Sequence, residues 1–259
     1  MFERRTNIQK PAGFPILMYH SLDPSGSVVS VHPETFEAQM KCLEGMGRRG
    51  VTLREAVRHY RNRGRWPESA VALTFDDGYE NIHRYAMPVL AERGFSATVF
   101  LVTGHVGSRN DWAEPPSGLG IQPMLTWSQA RDLAESGWDI GAHTRTHPDL
   151  RTLPTDSVER EIVESRTDIE EALGQRVESF AYPFGRSTDV AASIVAREFG
   201  AACTTELRCA SAEDLHRLPR IEMFYIRDLG RLRRLVAGKL DGYLTLRRWG
   251  RFLRDALLT

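Results

Sequence analysis

A chain of 259 residues is long enough to bury a sizeable core and fits one α/β domain, or one domain with a short appendage. Its apolar and charged fractions, 41% and 26%, are those of a soluble globular protein, which excludes the disordered and fibrous classes. Lys+Arg and Asp+Glu balance at 34 each, so no global charge draws the chain to nucleic acid, although its C-terminal end is basic.

The cysteines Cys42, Cys203 and Cys209 are odd in number and far apart, which points to reduced thiols in a cytosolic setting rather than a disulfide scaffold. The segment MFERRTNIQKPAGFPILMYH lacks an apolar run of signal-peptide length before Pro11 and Pro15. Nowhere do about 20 apolar residues run together, so no membrane span is expected. These features place the chain in the cytoplasm.

Short apolar runs alternate with helical patterns, as in parallel βαβ units. Ile16–Tyr19 reads as a strand, and a Pro/Ser/Gly loop follows it through Ser27. His32–Gly47 and Leu53–Arg61 read as helices, the first opening at Pro33. The strand 70–75 runs straight into Asp76-Asp77-Gly78, and a helix from Glu80 to Arg93 leads to a strand at 96–102. A crossover of this kind is right-handed and parallel. Between Gly104 and Met124 the composition turns to Gly, Pro, Ser and Asn, a loop length that is functional or mobile in a compact domain. Beyond it come a helix at Thr126–Ser136, a strand at Trp138–Ala142 and a long helix at Asp156–Leu173. A strand at Ser179–Tyr182, a helix at Asp189–Phe199, a strand at 201–205 and a last strand at Arg220–Phe224 complete the pattern. About seven strands alternating with helices favour a distorted (β/α) barrel over an open sheet. Residues 1–226 form the expected catalytic domain, and 227–259 a basic helical extension.

In such barrels the C-terminal ends of the strands converge on one mouth, where active sites sit. The polar residues of interest fall there: Asp76 and Asp77 after one strand, His143 and His147 after another, Pro183-Phe184-Gly185 after a third. An Asp-Asp-Gly alone reads as turn chemistry. His143 and His147 in GAHTRTHPD are four residues apart, a spacing from which two imidazoles reach one metal ion. Two histidines and one carboxylate leave an open coordination position, as catalytic zinc requires. Coordination lowers the pKa of a bound water toward about 7, and a second, uncoordinated carboxylate can accept its proton. One Asp is thus ligand and the other base, and spacing alone does not decide which.

TFDDG followed by HTRTH resembles the polysaccharide deacetylase family, carbohydrate esterase family 4, over roughly Pro15 to Phe224. The resemblance implies a distorted (β/α) barrel and hydrolysis of an N-acetyl group on a sugar. Asp76 would be the general base, and Asp77, His143 and His147 would hold a divalent metal, Zn2+ foremost, with Co2+, Ni2+ or Mn2+ as alternatives. SFAYPFGR resembles the family's third motif, in which Tyr182, Pro183 and Phe184 line the groove and the Phe184 N–H stabilises the oxyanion. The Arg that usually precedes this Pro and orients the base is missing, since Phe180, Ala181 and Tyr182 stand there. Arg220, in LPRIEM, is a candidate substitute, against an ordinary surface Arg. No His follows His216, so the family's C-terminal general acid is not where it usually lies. ILMYH at Ile16–His20 has the same pattern and resembles a branch with that strand permuted to the front, as in biofilm poly-N-acetylglucosamine deacetylases. His20 would then protonate the leaving amine, and Met18 would help form the acetyl pocket. His32, His59, His83, His105 and His216 are read as structural or surface residues. Trp127 is read as core, and Trp112 as either core or a sugar-stacking ring.

From Arg227 to Thr259 there are nine basic and three acidic residues. Leu246, Trp249, Phe252, Leu253, Ala256 and Leu257 recur at helical spacing, with Arg247, Arg248, Arg251 and Arg254 between them. The expected arrangement packs this apolar stripe on the barrel with the arginines in water. The rival arrangement lays the helix on the anionic inner-membrane surface. The implied partner is an N-acetylated sugar, lipid-linked or nucleotide-linked if the chain works inside the cell. Rival functions are a deformylase or amidase with the same metal chemistry, and a carbohydrate-binding protein that has lost activity.

Overall fold

The computed structural model describes residues 13–112, 118–211 and 214–257, with side chains as far as Gly250. The signal-peptide reading of the first twelve residues, part of the Gly/Pro-rich loop, and the side chains of Arg251, Phe252, Leu253, Arg254, Ala256 and Leu257 lie outside it.

The elements in chain order are β1 (Ile16–Tyr19), β2 (Ser21–Leu22), β3 (Ser30–Val31), α1 (Pro33–Gly45), β4 (Arg49–Val51), α2 (Leu53–Arg63) and β5 (Ala70–Phe75). Then follow α3 (Asn81–Glu92), β6 (Thr98–Leu101), α4 (Trp127–Glu135), β7 (Asp139–Ala142), α5 (Thr155–Leu173) and β8 (Ser179–Ala181). The last are α6 (Asp189–Glu198), β9 (Ala201–Cys203), β10 (Ile221–Glu222), α7 (Leu229–Val236) and α8 (Asp241–Leu257).

The main sheet is parallel, in the order β10-β1-β5-β6-β7-β8-β9. β1 lies beside β5 in the register Ile16↔Ala72 to Tyr19↔Phe75, and β4 pairs with the first half of β5. The curled sheet closes on itself at one narrow place. Leu218 bridges Cys203 at the end of β9, and three residues later Ile221 pairs with Leu17 of β1. The result is the distorted barrel that the alternating pattern indicates. The last strand is shorter than the sequence suggests, because the Glu222 side chain accepts from Phe224 N at 3.2 Å and turns the chain into a helical turn at Met223–Ile226.

Strand alternation sorts side chains into two layers. Leu17, Tyr19, Leu73, Phe75, Val99 and Phe180 pack outward against the helices, where they meet Phe36, Met40, Ile82 and Leu90. Ile16, Ala72, Phe100, Ala181, Cys203 and Leu218 fill a second cluster inside the ring. The floor of the barrel is polar: Asp139 accepts from Ser179 Oγ at 2.7 Å and faces Arg54 Nε at 3.3 Å. Burial raises the Asp139 carboxyl above its ordinary value, and Arg54 and Ser179 offset this only in part. At the other end of the chain, Leu232, Leu235, Val236, Leu240 and Leu244 belong to the outer apolar cluster.

Candidate metal centre and active site

β5 ends at Phe75, and the next two residues turn over the mouth. Asp77 has a positive φ of 70°, as do Thr144 (66°), His147 (59°) and Phe184 (57°). These are the described non-glycine residues in the left-handed region, and all four stand at one site. Each costs on the order of 1–2 kcal/mol, most for the β-branched Thr144. Backbone strain gathered in this way marks a functional centre.

Asp77, His143 and His147 offer ligand atoms that lie within 4.8 Å of one another. Asp77 Oδ1 is 3.4 Å from His143 Nε2 and 3.5 Å from His147 Nε2. Ligand atoms on one tetrahedral ion with bonds of about 2.1 Å stand about 3.4 Å apart, so the trio fits a divalent metal. His143 Nδ1 lies 2.7 Å from Ala181 O, and donation there fixes the tautomer that turns the Nε2 lone pair into the site. Burial brings His147 down to about 4, so its imidazole is neutral at pH 7. Burial acts to raise the Asp77 carboxyl, but His143 and His147 outweigh it and hold the group well below its ordinary value.

The loop between the two histidines is clamped by α5. Glu161 accepts from Arg145 N at 2.8 Å, Thr146 N at 2.9 Å and Thr146 Oγ1 at 2.8 Å. Arg145 in turn reaches Glu164 and Asp168 at 2.5 and 3.2 Å. His147 N donates to Thr144 Oγ1 at 3.1 Å, which holds the turn that carries the second histidine.

Asp76 sits beside the trio without belonging to it. Both of its oxygens accept from Arg220, at 2.6 Å from Nη1 and 2.6 Å from Nη2. Arg220 is fully buried and is not a surface residue. It also donates to Thr204 O at 2.9 Å and Thr74 Oγ1 at 3.2 Å, and lies over the Phe100 ring. Burial would raise the Asp76 carboxyl, but Arg220 and His143 turn the balance and lower it. Across the mouth, His20 places Nε2 3.9 Å from Asp76 Oδ2, and Nδ1 3.9 Å from Glu222 Oε2. Met18, two residues before His20 on β1, is buried with Thr74 and Glu222 as its neighbours in the ladder.

Pro183 and Phe184 form the turn after β8, and the Phe184 ring stands 4.7 Å from that of His147. Gly185 seats this turn against Thr205, where a Cβ would come within 2.2 Å of Oγ1. Trp112 is buried with its ring 4.9 Å from that of His147, so it backs this histidine rather than offering an open stacking face. Tyr182 is not brought to the mouth. Strand alternation turns it into the outer apolar layer, where it meets Phe180 edge-on at 5.2 Å.

Sequence alone does not single out Glu222, Glu161 or Thr144. The acidic spacing of Glu161, Glu164 and Asp168 on one face of α5 is the signal that could have found the clamp. Glu222 carries no comparable signal, because only strand register places it beside His20. The other histidines do local work: His32 caps α1, His83 faces Asp132, and His216 reaches Phe199 O.

Residues 63–202 match the model of the family described as polysaccharide deacetylase. YxkH of Bacillus subtilis (strain 168), assigned to the polysaccharide deacetylases, is 33% identical over 178 residues, 69% of this chain and 59% of its own length. Poly-beta-1,6-N-acetyl-D-glucosamine N-deacetylase of Staphylococcus aureus is 27% identical over 172 residues, 62% of this chain and 55% of its own. The chain thus spans less than two thirds of the length of these curated relatives. Among solved structures, the deacetylase PplD of Streptococcus pyogenes, in complex with acetate, aligns with a TM-score of 0.71 at 28% identity, covering 82% of this chain and 92% of that one. IcaB of Ammonifex degensii aligns with a TM-score of 0.72 at 25% identity, covering 89% and 98%. Sequence match, fold and the convergence of Asp77, His143 and His147 agree, and the chain belongs to the polysaccharide deacetylase family.

Proposed function

We propose that this chain is a divalent-metal-dependent N-deacetylase that releases acetate from an amino sugar of a glycan or glycoconjugate precursor. The observation that carries this reading is the arrangement of two proton-handling groups around one metal-fit trio: Asp76 beside Asp77, and His20 facing Asp76 at 3.9 Å. A divalent ion held by Asp77, His143 and His147, zinc foremost, would polarise the amide carbonyl and acidify a water.

Asp76 takes the proton of the attacking water. Its bidentate pairing with Arg220 keeps it ionised and fixes the direction of its free lone pairs. The Phe184 N–H, on a left-handed residue beside His147, is the candidate donor to the tetrahedral oxyanion. An amine leaves only when protonated, and His20 supplies that proton, with Glu222 beside its other nitrogen. Met18, buried two residues before His20, is the candidate to receive the acetyl methyl.

The relative named for poly-beta-1,6-N-acetyl-D-glucosamine supports an N-acetylglucosamine unit as substrate. The test is product release from a panel of polymeric, nucleotide-linked and lipid-linked N-acyl amino sugars, with Asp76→Asn as control. Acetate from one class, lost in the variant, supports the proposal. Formate instead of acetate would assign a deformylase, and binding without any product would assign a carbohydrate-binding protein.

A further inference from the structure

The two histidines of the trio are oriented by different means. His143 turns its Nδ1 to Ala181 O at 2.7 Å, so its ring is held through the nitrogen opposite the site. His147 Nδ1 is buried and has no hydrogen-bond partner among the described residues. Its ring leans on those of Trp112 and Phe184, at 4.9 and 4.7 Å, and apolar contacts carry little directionality. The aim of His147 therefore falls to its backbone.

That backbone is strained. Thr144 and His147 hold φ of 66° and 59°, and such residues persist only where their surroundings over-determine them. Between them, Arg145 and Thr146 lie outside any helix or strand, so no ladder takes their amides. Glu161 of α5 takes both: Oε2 accepts from Arg145 N at 2.8 Å and Thr146 N at 2.9 Å, and Oε1 from Thr146 Oγ1 at 2.8 Å. A backbone N–H is an obligatory donor, so without this acceptor the turn is free to seek another partner.

The opposite edge of the turn is fixed as well. In the helical turn Thr103–His105, Thr103 N donates to Thr144 O at 3.2 Å and Gly104 N to Arg145 O at 2.8 Å. A Cβ on Gly104 would come within 2.7 Å of Arg145 O, so the two segments meet backbone to backbone. Asp168 ties them together, accepting from Thr103 Oγ1 at 2.6 Å and Arg145 Nε at 3.2 Å. The turn is thus gripped between a backbone wall on one side and the Glu161 carboxylate on the other.

We propose that Glu161 is a positioning residue for metal binding: by holding the Arg145–Thr146 turn from α5, it aims His147 and raises the affinity of the trio for a divalent ion. It does for His147 through the backbone what Ala181 O does for His143 through the ring. The proposal rests on the reading of Asp77, His143 and His147 as a metal site, and it is independent of which sugar is the substrate.

The test is zinc affinity of the full chain, measured by competition with a chromophoric chelator on samples of equal circular dichroism. Glu161→Ala removes all three contacts and is expected to weaken zinc binding by about 10–100-fold. Glu161→Asp, the milder variant should the alanine chain not fold, keeps the charge but is one methylene too short, and it should also bind zinc more weakly. Glu161→Gln keeps the reach and an acceptor for both amides without the charge, and it should stay close to wild type. Wild-type affinity in the alanine and aspartate variants would overturn the proposal. Equal losses in the glutamine and alanine variants would also overturn it, because they would assign the effect to charge rather than to the grip on the turn. No zinc bound by wild type would overturn the metal reading itself, and this proposal with it.

Discussion

Arg220 and Asp76, 144 residues apart, meet as a doubly hydrogen-bonded ion pair inside the barrel, each N···O distance 2.6 Å. Thr74, from the strand that leads to Asp76, and Thr204, after β9, hold the same guanidinium. The pair therefore links the Asp76–Asp77 turn to the place where the barrel closes.

Replacing the fork by a point charge tests this link. Arg220→Lys keeps the charge but cannot bind both oxygens. The expected result is a kcat lowered by about 10–100-fold with little change in KM, because the base rather than the sugar is misplaced. Arg220→Ala leaves a buried carboxylate without its partner and is expected to cost about 3–5 kcal/mol of stability by denaturant titration. An unchanged kcat in Arg220→Lys would show that the pair only holds the fold.

Asp76 and Asp77 are adjacent in sequence but separable in effect. Asp76→Asn is expected to lower kcat by about 10²–10⁴-fold while zinc is retained. Asp77→Asn is expected to lose the metal. Metal content and acetate release, measured on the same samples, check both. Equal zinc loss in the two variants would contradict the division of roles.

His20 matters only if the leaving group needs a proton. In His20→Gln, hydrolysis of an N-acetyl sugar should fall by about 10²-fold or more. Hydrolysis of an activated acetyl ester, whose leaving group departs as an anion, should fall far less. Parallel rates on the two substrates decide it. Equal losses would move His20 from proton donor to a structural part.

How far these roles can be read from sequence depends on distance along the chain. Asp76-Asp77 and the His143–His147 pair are local motifs at strand ends, so spacing alone brings them to the mouth. Arg220 could be named but not placed, because its burial depends on the β1–β10 register. Tyr182 went the other way: it adjoins Pro183, yet alternation in β8 turns it outward. β4 is not legible in the sequence because Arg49-Gly50-Val51 carries no apolar run. α8 shows the limit of periodicity. The pattern identifies two faces, and only tertiary contacts say that Leu244 is buried, Leu246 is exposed and Arg248 reaches Glu206.

The barrel floor predicts a pH effect on stability. Burial raises the Asp139 carboxyl in the folded state above its unfolded value, so ionising it costs stability. That cost is absent well below about pH 3.9 and grows as pH rises through and above that value. Asp139→Asn should therefore raise the melting temperature at pH 7 and leave it unchanged in strong acid. A lower melting temperature at pH 7 would mean that the contact with Arg54 outweighs burial.

The central claim is that Asp77, His143 and His147 hold the metal on which turnover depends. Its most direct test is acetate release from an N-acetylglucosamine oligomer by protein stripped with chelator, then restored with zinc, cobalt, nickel or manganese. Turnover should vanish on stripping and return in proportion to metal bound, one ion per chain. Full activity in metal-free protein would contradict the claim.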